Sequence, residues 1–164
     1  MKRAAALFIT VLLCVSMMGG CSEPRSENAY TYDHMTIELP EGFTVDESGS
    51  FPIMYSPNYP EESDNINITK AGADNIDNYS ESVMDSVFSS SLVGYTGMLS
   101  YEETTVDGLD AILCSYGVSM SGVDMVGTQC YVFGRDYTDI LTLTSVSGAY
   151  DDDFEACLKS ISMH

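Results

Sequence analysis

Any chemistry in this 164-residue chain must come from two histidines, five cysteines and 25 carboxylates, set against only six lysines and arginines. His34 and His164 lie far apart and in no HExxH or closely spaced ligand pattern, so an ordinary zinc site is not expected, and His34 reads as a strand residue near a sheet edge. Serines are plentiful, but no Gly-x-Ser-x-Gly occurs, and a Ser-His-Asp set would have to recruit His34 from the first strand. The glycines sit between strands and form no phosphate loop. The sequence therefore carries no assembled catalytic motif, and a non-enzymatic role is expected.

Two acidic clusters offer hard oxygen ligands. Glu61, Glu62 and Asp64 occupy a Pro-containing loop and are the weak candidates for a divalent ion such as calcium, although the spaced ligands and turn glycine of an EF-hand are missing. Asp151 to Asp153 have a simpler reading, because carboxylates stabilise a helix N-terminus. No other cofactor is implied. Cys114 and Cys130 form a candidate disulfide: a hairpin turning about Gly122 would set them directly opposite on adjacent strands. The other reading is two small core residues, with Cys157 nearby on a helix. No Cys-x-x-Cys spacing points to a redox enzyme.

The remaining two cysteines belong to the start of the chain. Lys2 and Arg3, an apolar run from Ala4 to Met18, and Gly19-Gly20 ahead of Cys21 have the layout of a secretory signal. The run is about 15 residues, short of the roughly 20 that span a bilayer. With a cysteine at the cut site, residues 1–20 resemble a bacterial lipoprotein signal peptide, and Cys21 would become the lipidated first residue, carrying palmitate-class chains. Met18 replaces the usual Leu of that signal. Residues 21–29 then read as the lipidated cysteine and a short solvated tether, and 30–164 as a single domain.

Removal of the leader also takes away Lys2 and Arg3. Arg25, Lys70, Arg135 and Lys159 then face 25 Asp and Glu, a net charge of −21. Such a field repels nucleic acid and anionic headgroups, so attachment to the membrane falls to the lipid.

Within the domain, Met35-Thr36-Ile37-Glu38-Leu39 alternates with the period of a half-buried strand, and Phe43 to Val45, Phe51 to Tyr55 and Asn65 to Thr69 follow as further strands. A helix is predicted from Asn78, paired with Glu81 as a capping box, with Tyr79, Val83, Met84, Val87 and Phe88 on its buried face. Four longer strands, near 99–106, 109–118, 125–133 and 139–146, are separated by Asp107-Gly108, by Ser119 to Asp124 and by Gly134 to Asp136. A last helix follows Asp152, burying Phe154, Cys157, Leu158 and Ile161. The fold class is α+β, a twisted antiparallel sheet with two main helices packed on it. Eleven tyrosines and no tryptophan, with Tyr55, Tyr59, Tyr95 and Tyr137 at strand ends or loops, suit sheet packing or a recognition face.

The stretches Ile37-Glu38-Leu39-Pro40-Glu41-Gly42-Phe43, Asn65-Ile66-Asn67-Ile68, Val106-Asp107-Gly108-Leu109-Asp110-Ala111 and Asp139-Ile140-Leu141-Thr142-Leu143-Thr144 resemble the PsbP-like (PsbP/DcrB-type) family, which includes small bacterial lipoproteins. The resemblance covers about residues 30–163 and rests on turn and strand patterns. It implies an α-β-α sandwich that binds partners or ions and is usually not an enzyme. Photosynthetic members assist a manganese and calcium centre, but no catalytic set maps onto this chain. The expected role is that of a lipid-anchored accessory or binding module for an envelope protein, on the extracytoplasmic face of the cell membrane. The alternative is a solute- or divalent-cation-binding lipoprotein using the loop from Pro57 to Asp64.

Overall fold

A computed structural model describes residues 27–164; the leader, Cys21 and most of the tether lie outside them. Ten strands and two helices follow one another as β1 (Ala29–Tyr32), β2 (Met35–Glu38), β3 (Thr44–Asp46), β4 (Ile53–Tyr55), β5 (Asn65–Gly72), α1 (Glu81–Ser91), β6 (Tyr95–Val106), β7 (Leu109–Met120), β8 (Val123–Phe133), β9 (Tyr137–Ser145), α2 (Asp151–Lys159) and β10 (Ser162–Met163). Seven strands make one antiparallel sheet in the order β3-β4-β5-β9-β8-β7-β6, and β1-β2-β10 make a small second one. Ala29, assigned to the tether on sequence, is the first residue of β1.

Side chains alternate across a strand, so the large sheet has two buried faces. One face presents Ile66, Ile68, Ala111, Cys130, Val132, Leu141 and Leu143 to Phe154 and Cys157 of α2, with Ile161, Met35 and Ile37 completing the cluster. The other presents Ile112, Cys114, Tyr116 and Phe133 to Met84 and Phe88 of α1. The result is the expected α+β arrangement, one helix on each side of an antiparallel sheet.

Two hairpin turns explain the register. Asp107 and Gly108 have φ of 50° and 77°, and Ser121 and Gly122 have 54° and 83°; paired left-handed residues give the two-residue turn whose twist matches the flanking strands. The second turn is tighter than the loop from Ser119 to Asp124 expected on sequence. Met120 consequently pairs with Val123, Leu113 with Cys130, and Cys114 with Gln129. This one-residue offset corrects the candidate disulfide: Cys130 faces the α2 side and Cys114 the α1 side. Cys114, Cys130 and Cys157 are buried free thiols, and burial pushes them up to about 12, 11 and 12 respectively. Iodoacetamide at neutral pH should leave all three unmodified in the native protein and alkylate all three in guanidinium, as read by peptide mapping; rapid native alkylation of any one would contradict this packing.

The α1 helix departs from its expected face. Asn78 lies in a 3₁₀ turn, Ile76–Asn78, and Ser80 takes the N-cap position without a side-chain capping bond. Met84 and Phe88, one turn apart, point at the sheet, where Phe88 meets Tyr116 with ring centroids 4.4 Å apart. Val83 and Val87, expected to be buried, are 42% and 50% exposed. A single short helix on a broad sheet covers only the stripe directly beneath it. Of the stripe expected on the last helix, Phe154 and Cys157 are buried and Leu158 is half-buried, while the buried Ile161 lies just past the end of α2. The outer strand β6 carries two register shifts, between Tyr95 and Gly97 and between Met98 and Ser100.

Candidate functional site

The β9 strand places Tyr137, Asp139, Leu141 and Leu143 on one face by simple alternation. Leu141 and Leu143 enter the α2-side core, and Asp139 takes an equivalent inward position, opposite Lys70 on β5 and Val132 on β8. Asp139 is fully buried, and neither carboxylate oxygen has a hydrogen-bond partner. Burial raises its carboxyl above the usual range, with Asp33 adding to the shift and His34 and Lys70 opposing it.

The two-residue turn between β1 and β2 brings Asp33 and His34 over this carboxylate. Asp33 has φ 51°, a left-handed conformation that Asp tolerates better than most residues. The Nδ1 atom of His34 lies 3.2 Å from Asp33 Oδ1 and 3.4 Å from Asp139 Oδ2. It is itself buried and without a hydrogen-bond partner. Lys70 Nζ contacts the other Asp33 oxygen, Oδ2, at 2.5 Å, and this contact holds the Asp33 carboxyl below its usual range. The His34 ring stacks on Tyr137 with centroids 3.7 Å apart and planes 8° from parallel. Tyr137 in turn lies against Gly134, where an added Cβ would come within 2.3 Å of the phenol ring. His34, Asp33 and Lys70 are 30%, 32% and 41% exposed, so the buried carboxylate sits beneath a rim open to solvent.

No sequence motif announces this cluster. Asp33 and His34 are remote from Asp139 along the chain, and only the pairing of β9 with β5, with the first hairpin laid across their ends, unites them. One local signal was available, the parity that aligns Asp139 with Leu141 and Leu143. The residues proposed on sequence behave differently. Asp64 is fully buried, but its oxygens accept from Val146 N at 2.9 Å, Ser147 N at 3.3 Å and Ser147 Oγ at 3.0 Å. It ties the loop before β5 to the approach to α2. Glu62 accepts from Asn58 at 2.9 Å, and Glu61 is exposed. Among the described residues, Asp33, His34 and Asp139 form the set with metal-ligand proximity, and Glu61, Glu62 and Asp64 do not come together in that way. The side chains placed against His34 are the carboxylates of Asp33 and Asp139 and the ring of Tyr137.

A second feature lies at the far end of the hairpin β7-β8. The loop after α1 is bonded to it through Ser119 N donating to Gly94 O at 2.8 Å. Val93 is 79% exposed, and Met120 and its cross-strand partner Val123 are each 46% exposed. Val93 and Met120 share a shallow groove with Leu92, Tyr116 and Met125.

The large sheet with a helix on each side is an α+β fold, and it is similar to the fold of PsbP. Its solved counterparts include cyanobacterial PsbP (CyanoP) from Synechocystis sp. PCC 6803, with a TM-score of 0.60 and 13% identity over 90% of this chain and 99% of that one. LpqN of Mycobacterium tuberculosis, described as involved in cell envelope biogenesis, superposes with a TM-score of 0.59 at 11% identity, covering 79% and 82% of the two chains. A Bacteroides thetaiotaomicron protein matches at 0.53 and 11% identity over 84% of this chain and 48% of its own. No family model and no curated protein matches the sequence. Among the described residues no helix is long and apolar enough to cross a membrane.

Proposed function

We propose that this protein is a non-catalytic accessory module, held by lipid on Cys21 at the extracytoplasmic face of the cell membrane, which binds an envelope protein through its apolar tip. The observation that carries the binding role is the exposure of Val93, Met120 and Val123 side by side on a chain otherwise rich in surface carboxylates. Apolar surface left in water costs about 25 cal/mol per Å², which a partner recovers on docking. Support for the setting comes from the leader and Cys21 in the sequence, and from the fold likeness to a protein of envelope biogenesis.

Two variants test the parts separately. Cys21→Ser should move the chain from the membrane fraction to the soluble fraction. The pair Val93→Asp and Met120→Glu should abolish a discrete in-cell cross-linked complex while the melting temperature stays within about 2 °C of the parent, because both side chains already face solvent. Retention of the Cys21→Ser chain on membranes would remove the anchor, and an unchanged cross-linked complex in the double variant would remove the tip.

A further inference from the structure

We infer that Asp33, His34 and Asp139 form a binding site for one divalent transition-metal ion of the zinc class, with His34 Nδ1, one oxygen of Asp33 and one of Asp139 as its protein ligands. This site is independent of the anchor and of the apolar tip. Three observations carry it.

The first is Asp139 itself. A fully buried carboxylate with no hydrogen bond to either oxygen is a costly arrangement, and proteins retain such groups where a cation completes them. The second is spacing. A tetrahedral ion with ligands at about 2.0–2.1 Å holds neighbouring ligand atoms about 3.3 Å apart. The Nδ1 atom of His34 stands 3.2 and 3.4 Å from the two carboxylate oxygens, and the three ligand atoms lie within 4.8 Å of one another. Direct charge-assisted hydrogen bonds would draw nitrogen and oxygen to about 2.7–2.9 Å instead. The third is support around the ligands. Lys70 takes Oδ2 of Asp33 and leaves Oδ1 turned to His34, while Tyr137, lying against Gly134, fixes the imidazole plane. Groups that orient ligands in this way are the usual outer shell of a metal site.

Ligand chemistry selects the ion. One imidazole nitrogen and two carboxylates suit zinc, cobalt or manganese, whereas calcium needs six to eight oxygens, which this pocket does not provide. The partial exposure of His34 and Asp33 gives the ion a path in and leaves room for water as a further ligand.

Titration calorimetry of the detergent-purified full chain with zinc chloride, with cobalt(II) as a spectroscopic probe, tests the site. The expected result is one saturable site and the intense visible absorption of tetrahedral cobalt. His34→Gln and Asp139→Asn should each weaken binding by about 100-fold or more, since loss of even an outer-shell partner costs 10–100-fold. Asp152→Asn, in the exposed acidic run, should leave binding unchanged. Circular dichroism and thermal melting establish that each variant is folded. Unsaturable heats, or a saturable site that survives both His34→Gln and Asp139→Asn in folded protein, would overturn the assignment. Either failure leaves the anchor and the apolar tip untouched.

Discussion

Asp64→Ala should lower stability by about 3 kcal/mol, the most damaging single polar substitution expected in the domain. The Asp64 carboxylate is fully buried and accepts from two backbone N–H groups and a hydroxyl of the Val146-Ser147 corner. Hydrogen bonds to a charged acceptor contribute about 1.5–3 kcal/mol each. Three are lost here, but Ser147 is exposed and water replaces part of them. The effect should be structural as well as energetic, because the corner delivers the chain into α2. Hydrogen exchange should then be faster in Asp151–Lys159 than in Glu81–Ser91 relative to the parent. Asp64→Asn keeps one acceptor oxygen and should cost about half as much. Chemical denaturation measures both, and a loss below about 1 kcal/mol for Asp64→Ala would show that the corner holds without its carboxylate.

The second large effect has the opposite sign. In chelator-treated protein, Asp139→Asn should raise stability by about 2 kcal/mol, a rise of roughly 5 °C in melting temperature for a domain of this size. The parent carboxylate is buried with two unpartnered oxygens beside an unpartnered imidazole nitrogen. An amide at the same place carries no charge to desolvate, and its N–H can donate to His34 Nδ1. Zinc should reverse the ranking by stabilising the parent and leaving the variant unmoved. A lower melting temperature for ion-free Asp139→Asn would mean that the carboxylate is satisfied in the resting protein. A residue whose removal stabilises the fold is explained by what it binds, and this is the usual relation between stability and function at a site.

What could be read from the chain alone was what is encoded locally. The Asp107-Gly108 turn, the four long strands and the α2 stripe follow from turn chemistry and periodicity, and each is found, although β6 starts at Tyr95 rather than Leu99 and β8 at Val123 rather than Met125. The turn at Ser121-Gly122 was also recognisable, but centring a loop on Gly122 rather than between Ser121 and Gly122 shifts the partner of every β8 residue by one and brings Cys114 and Cys130 falsely together. Val83 and Val87 failed for a different reason, since a helical period marks a stripe without stating how wide its cover is. The strands β1 and β10 are four and two residues long and exist through pairing with β2, which no local pattern announces. The Asp33, His34 and Asp139 cluster needs both the first hairpin and the β5-β9 pairing; on sequence His34 reads only as an edge residue and Asp139 only as the start of a strand, and nothing singles out Asp33.

The outer strand β6 also bears on life at high local density. Copies of one chain at high concentration meet often, and a long flat border of unpaired backbone would let one copy zip onto the next. Here the border is interrupted twice by misaligned residues near Gly97 and Ser100, and it then carries Glu102 and Glu103 in sequence. The kinks spoil the straight template and the paired negative charges repel an identical neighbour. Copies of this domain can therefore crowd together without zipping into fibres.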